Sequence, residues 1–455
     1  MVPPLDNVQG LIVRGYKHPY SRHLLLKIND ATAGRALLKA LHPLVTPATD
    51  WGNARPSTLF NLGITYNGLK ALQVNNTIVD GVNGYLNGFP LEFKSSGGGN
   101  PDQRTGFTGA SDPSKWWPHA QMPFTTPEIH LTLHLYATTA EGLKTFTAQV
   151  RSLFPAQITE LRPQTGGGTL DSYPLKDGKV HFGYKDGISQ PNVNWQQDDP
   201  NDGSVNFREF LLGYANKEHP SAPNGEFARD GSYMAFQVIY QDSAYFNQVL
   251  RTQAKKLAIP AGVTDKREWV AAKLVGRWRS GAPLVSAPLV DDPHKADENE
   301  FVYAADQQGH SCPFSSHIRV CNPRDQEVDE LVKPVPRLLR RGAPYGPPLT
   351  GEKDDGVDRG LIGLFVCASL GRQYLKLTKW INRNDFSSVY KDQTAQDPIQ
   401  GNPEIAGAST DFHIPGPAGD LVISGLKSFL RTKGAAFCFL PSLATIQKLG
   451  AGEYK

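Results

Sequence analysis

The spacing of apolar residues along this chain switches repeatedly between a period of two and one near 3.6. Residues 21–29 (SRHLLLKIN) read as strand and lead into a helical stretch over 31–41, while 58–73 mixes turn and helix signals. The clearest strand is 128–137 (EIHLTLHLYA), where Ile129, Leu131, Leu133 and Leu135 alternate with polar partners. Leu143, Phe146, Val150 and Phe154 then recur at helical spacing over 139–154. The rhythm returns at 232–240 (SYMAFQVIY), a strand followed by a helix that starts at 243. Asp265 and Glu268 favour the first turn of a further helix over 264–278. A continuous apolar run at 361–368 predicts a buried strand, with a helix through 373–380 after it and a late strand at 435–440. Two halves, each alternating strand and helix, predict a duplicated α+β architecture. The seam falls near 215–230 and divides the chain into 1–220 and 221–455.

Composition narrows the function. At 455 residues, with 39% hydrophobic and 20% charged positions, the chain is a folded one with room for two domains. Its 44 glycines and 35 prolines predict long loops, among them 89–117 around Gly97-Gly98-Gly99 and 162–174 around Gly166-Gly167-Gly168. Neither glycine run is followed by Lys-Ser or Lys-Thr, which weakens a phosphate-cradle reading. A net charge of +3 argues against a dedicated nucleic-acid binder. The longest apolar run, 361–370, is about half of what a membrane span needs. Four cysteines cannot form a disulfide framework for a chain this long, and without CxxC or CxxCH a four-cysteine zinc or iron–sulfur site and covalent c-type haem lose support. The opening MVPPLD lacks the charged-then-apolar pattern of a secretion leader, and the compartment stays open, secreted or cytoplasmic.

Three clusters carry candidate chemistry. His317 lies in CPFSSHIRVCNPR, among small and apolar residues and with no Asp or Glu close in sequence. Zinc wants three or four protein ligands, whereas haem iron needs one histidine, and a satisfied structural histidine is the competing reading. Asp186 lies in HFGYKDGISQP, where the choice is between an Asx turn and a carboxylate that Gly187 leaves open to close approach. Arg337, Arg340 and Arg341 share RLLRRGAPYG, either a basic surface turn or an arginine pinned by the prolines around it. His130 and His134 tempt a metal reading, but on a strand they stand about 13 Å apart at roughly 3.3 Å per residue. They cannot share one ion.

Taken together, these clusters resemble the dye-decolorizing peroxidase family. Gly183-Tyr184-Lys185-Asp186-Gly187, continuing as Ile-Ser-Gln-Pro, is similar to that family's GxxDG signature. His317 in HIRVCNPR resembles its proximal haem ligand and Arg340 in LLRRGAPYG its distal arginine. Asp6-Asn7-Val8-Gln9-Gly10, the GLFVCASL strand and Trp380-Ile381-Asn382 extend the resemblance over essentially the whole chain, closest to the larger, insertion-rich members. The resemblance implies two ferredoxin-like domains, each an antiparallel sheet with helices. It also implies one non-covalent haem b per chain, held by His317 in the C-terminal half.

The resemblance further implies the chemistry. Hydrogen peroxide would be the oxidant, and dyes and phenolic or aromatic small molecules the one-electron reductants, with activity favoured in acid. The alternative is a haem-binding or haem-delivery protein of the same fold with little turnover. Asp186 would move a proton between the peroxide oxygens as base then acid, a task a carboxylate can perform in solution acidic enough to protonate a histidine. Arg340 would stabilise the developing negative charge, with Arg341 as its substitute. Asp397, with Asp385 and Asp392 as rivals, would hold the other nitrogen of His317. Arg319 would pair with a haem propionate, and Leu364 and Phe365 would line the distal pocket. Tyr345 would carry electrons at the surface for substrates too bulky to enter. The expected partners are small molecules, with no nucleic acid or membrane, and the chain a monomer or homodimer.

Overall fold

In a computed structural model the described residues are 2–80, 91–94, 105–118, 120, 122–163, 168–197, 203–214, 225–329, 335–389 and 394–455. Gly97–Gly99, Gly166 and Gly167, Asp392 and most of the expected seam lie outside them. The strands are β1 Tyr20–Ile28, β2 Thr58–Ile64, β3 Leu131–Ala137, β4 Ile158–Leu161, β5 Leu170–Asp171, β6 Val193–Asn194 and β7 Val205–Asn206. They continue as β8 Ser232–Gln241, β9 Leu339–Arg340, β10 Ala343–Tyr345, β11 Gly360–Cys367, β12 Phe412–Ile414, β13 Leu421–Ile423 and β14 Leu430–Leu440. The helices are α1 Gly10–Val13, α2 Ala31–Leu41, α3 Tyr66–Ala71, α4 Asn76–Val79, α5 Leu91–Lys94 and α6 Ala140–Arg151. After them come α7 Ser243–Lys256, α8 Lys266–Val275, α9 His317–Cys321, α10 Lys376–Asn382 and α11 Leu443–Ala451.

Helix starts follow local chemistry. The side chains of Asp30, Thr139, Asp242, Asp265 and Ser442 each accept a backbone N–H of the first turn of α2, α6, α7, α8 and α11, a device typically worth about 1 kcal/mol. Gly276, left-handed at φ +95°, ends α8.

One mixed α/β body results, built on a sheet of order β10-β11-β8-β14-β2-β3-β1-β4, with β5 on β1 and β9 on β11. Every pairing in it is antiparallel. Two four-stranded groups meet where Phe439 faces Ile64, the one register pair between β14 and β2. Next to it Gly63 makes room, since a Cβ there would stand 2.8 Å from Thr132 Oγ1 and 2.9 Å from Cys438 Cβ. Residues 58–64 thus form a strand where the sequence pattern suggested turn and helix, because Asn61 and Gly63 break the alternation.

Both faces of the sheet are covered. Leu131, Leu133 and Leu135 point to the core that also holds Leu37, Leu38, Phe146, Ile446 and Leu449 of α2, α6 and α11. The polar partners of that alternation are buried too, all seven residues of β3 being inaccessible. Tyr136 faces a second core with Leu11, Trp116, Phe207, Met234 and Phe236. His134 sits on that face directly opposite His23 of β1, Nδ1 to Nδ1 at 2.8 Å. Both rings are fully buried, and burial pushes His23 down to about 4 and His134 well below the ordinary imidazole value. Both are neutral. His130, just before β3, accepts the Ile28 N–H instead. No helix is long and apolar enough to cross a membrane among the described residues.

Candidate active site

His317 opens α9, a short helix held from both sides. Ile318 packs on the core of α7 and α8, whereas Val320 and Cys321 belong to a cluster with Trp380, Ile381 and Phe386. The His317 Nδ1 lies 2.6 Å from Asp397 Oδ2. Asp397 is buried, and its other oxygen accepts the N–H groups of Ile399 and Gln400 at 2.8 and 3.2 Å. With its carboxylate so fixed, Asp397 accepts a hydrogen bond from Nδ1–H and leaves Nε2 as the nitrogen available to a ligand. Burial alone would lower the ring's pKa, but its neighbours Cys321 and Asp397 outweigh it and raise the pKa well above the ordinary value. Of the rival aspartates, Asp385 pairs with Arg383.

Asp186 and Arg340 come together from distant parts of the chain. Gly183 and Gly187, at φ +88° and +90°, bracket the turn that presents Asp186. The Asp186 Oδ1 accepts the Gly187 N–H at 2.7 Å and Arg340 Nη2 at 3.3 Å, leaving Oδ2 for another partner. Arg340 stands opposite Phe365 on β11, so the two side chains share one face of the sheet.

A cleft lies on that face. It holds ≈ 690 Å³ of empty space, a figure that includes open solvent. Phe365, Gln237, Ile239 and Thr432 line it from the sheet, and Leu377, Ile381 and Gln400 from the opposite wall. Phe365 ties this space to Arg340, and Ile381 and Gln400, both backbone partners of Asp397, tie it to His317. His317, Cys321 and Asp397 are the one group of three potential metal ligands among the described residues. With Nδ1 already engaged by Asp397, this set suits a single axial bond from Nε2 to a haem iron better than a closed zinc site.

Three expectations are corrected by the geometry. Arg319 does not reach the cleft: it is buried, hydrogen-bonded to Gln326, to Asp306 and to the Cys312 carbonyl, with the rings of Tyr303 and Phe314 on its guanidinium. Leu364 points into the second core, as the alternation of a strand requires once its neighbour Phe365 faces the cleft. Tyr345 is 5% exposed and on the Leu364 face, its hydroxyl donating to Asp358, so it is no surface residue. The register on β11 is unbroken from Arg340 to Tyr345, and plain alternation over five residues puts the two on opposite faces. Arg341 cannot replace Arg340, because it binds the carbonyls of Leu11, Ile12 and Val13.

The structure thus sets one imidazole on a buried carboxylate and, from distant segments, one carboxylate against a guanidinium. Known proteins agree. The sequence is 30% identical to a dye-decolorizing peroxidase of Mycena epipterygia over 98% of this chain and 87% of that one. It is 28% identical to another from Mycetinis scorodonius over 97% and 87%. A solved dye-decolorizing peroxidase in complex with 2,6-dimethoxyphenol superposes with a TM-score of 0.79 at 27% identity, covering 99% of this chain and all of that one. No family model matches the sequence. The chain belongs to the dye-decolorizing peroxidase family and is a peroxidase, an oxidoreductase that works with haem.

Proposed function

We propose that this chain binds one haem b without a covalent bond, with His317 Nε2 as its axial ligand. Asp397 keeps the His317 Nδ1 proton in place and makes the imidazole a stronger donor. Asp186 Oδ2 would accept a proton from hydrogen peroxide and return it to the leaving oxygen, as base then acid. The Arg340 guanidinium, held at Asp186 Oδ1, supplies fixed positive charge to the oxygen on which negative charge develops. Hydrogen peroxide is the two-electron oxidant, a bound haem would hold its two oxidising equivalents, and two aromatic reductant molecules would each return one electron. Phenols and dyes are the substrate class, in line with the phenol complex of the relative at 27% identity. A carboxylate base favours mildly acidic conditions. The two four-stranded groups would be two ferredoxin-like domains, 1–220 and 221–455.

The observation that carries this reading is that the fold joins His317 to Asp397 and Asp186 to Arg340, each pair drawn from segments far apart in sequence. The test is His317→Ala, measured by haem content, the Soret band and peroxide-dependent oxidation of 2,6-dimethoxyphenol at acidic pH. Loss of all three is expected. Full haem retention with an unchanged ligand field would overturn the ligand assignment, and haem binding by the parent protein without turnover would point to a haem carrier.

A further inference from the structure

The residue that joins the two halves of the peroxide-activating pair is Gln190. Strand β9 is at an edge: Arg341 N–H bonds back to Leu364 of β11, so the N–H and C=O of Arg340 face away from the sheet. Such outward groups normally meet water or a further strand. Here a single side chain takes the place of that strand. The Gln190 Oε1 accepts the Arg340 N–H at 3.1 Å, and its Nε2 donates to the Arg340 carbonyl at 3.2 Å. Arg341 Nη1 reaches the same carbonyl at 3.3 Å.

Gln190 also lies four residues beyond Asp186, on the same loop. A ring of contacts therefore closes: Asp186 to the Arg340 guanidinium, Arg340 backbone to the Gln190 amide, and Gln190 back along the chain to Asp186. The side-chain contact alone is long, at 3.3 Å, and both ends of it are partly exposed. A long, solvent-open ion pair holds geometry poorly by itself. The amide clasp fixes the backbone beneath the guanidinium, and catalytic rates fall steeply when a charged group is misplaced by an ångström. Resting on the proposed roles of Asp186 and Arg340, we infer that Gln190 is a positioning residue for peroxide activation, acting by registering the Asp186 loop to the Arg340 backbone.

The clasp needs one donor and one acceptor on a planar group, and a neutral carboxylic acid offers the same pair as an amide. This makes Gln190→Glu a switchable variant. Its introduced carboxyl would face Asp186 along the loop, Arg341 at the shared carbonyl, and Arg277, which bonds Ser189. Protonated, it reproduces both bonds; ionised, it repels the Arg340 carbonyl. Gln190→Met keeps the length and offers neither bond.

The experiment mixes haem-loaded variants with hydrogen peroxide in a stopped-flow spectrometer between pH 3.5 and 7.5. Gln190→Met is expected to react at least about 10-fold more slowly at every pH, with haem content and resting Soret band as in the parent. Gln190→Glu is expected to react within about twofold of the parent at the acidic end and to fall to the Gln190→Met rate as it ionises, a pH limb the parent lacks. A residue that merely filled space would not create that limb. Parent-like rates in Gln190→Met, or a Gln190→Glu profile parallel to the parent's, would overturn the inference. Arg340→Leu run alongside separates the two failures: a slow Arg340→Leu with a fast Gln190→Met rejects Gln190 alone, whereas a fast Arg340→Leu rejects the reading beneath it.

Discussion

The sheet carries a feature that acid should weaken, and its size can be worked out. His23 and His134 face each other across β1 and β3, buried and neutral, one ring donating to the other at 2.8 Å. Burial pushes His23 to about 4, against an ordinary imidazole value near 6.5. In the unfolded chain the ring takes up a proton below about 6.5, while in the fold it stays neutral down to about 4. The unfolded state thus binds more protons in this window, and stability falls as the pH drops through it. Above about 6.5 the contribution is intact. At pH 4.5, His23 alone accounts for a loss of about 2.5 kcal/mol, since each unit of displaced titration is worth about 1.4 kcal/mol. His134, also depressed, adds to it. His23→Gln removes one of the titrating rings. It should cost about 1 kcal/mol at pH 7.5 through the lost hydrogen bond, a term that cancels on comparing pH values. Urea unfolding of the holoenzyme at pH 7.5 and 4.5, followed by tryptophan fluorescence, measures the difference. The variant should lose about 2.5 kcal/mol less between the two conditions than the parent does. An equal acid loss in both would show that the buried pair is not the acid-sensitive element.

Two further outcomes bear on the proximal side. Asp397→Asn keeps an acceptor for the N–H groups of Ile399 and Gln400 but removes the carboxylate from His317 Nδ1; haem transfer to an excess of an acceptor protein should be roughly 10–100-fold faster, and an unchanged rate would deny Asp397 its role. Arg319→Leu leaves the buried Asp306 carboxylate without its cation, so stability should drop by about 3–5 kcal/mol while the Soret band of the folded protein stays put; weaker haem binding at unchanged stability would return Arg319 to a propionate.

The sequence carried most of the chemistry and less of its orientation. Asp186, His317 and Arg340 are set in short segments whose glycines and prolines fix the local backbone, so their residue types and surroundings were readable one at a time. What a linear pattern cannot give is facing. Leu364 and Phe365 are adjacent on a strand, and only one of two neighbours can look into a cleft; the register with Arg340 picks Phe365. Tyr345 was expected at the surface because it lies in a Pro-Tyr-Gly turn, but the segment pairs with β11 in the same register as Arg340, and alternation puts Tyr345 on the buried face. Arg319, two residues along a helix from His317, points elsewhere because residues two apart do not share a helix face. Gln190 stood in plain view in the Ile-Ser-Gln-Pro segment, yet its role exists only once β9 is known to be an edge. The alternation in β3 was legible, but not that its polar half would be buried, since that depends on a second core drawn from distant segments.

The central claim is that Asp186 and Arg340 together activate peroxide above a haem held by His317. It is tested most directly by the bimolecular rate at which haem-loaded protein reacts with hydrogen peroxide, compared between the parent, Asp186→Asn and Arg340→Leu. Both variants should retain haem and the resting spectrum, and both should react about 100-fold or more slowly. A parent-like rate in Arg340→Leu at full haem content would contradict the account.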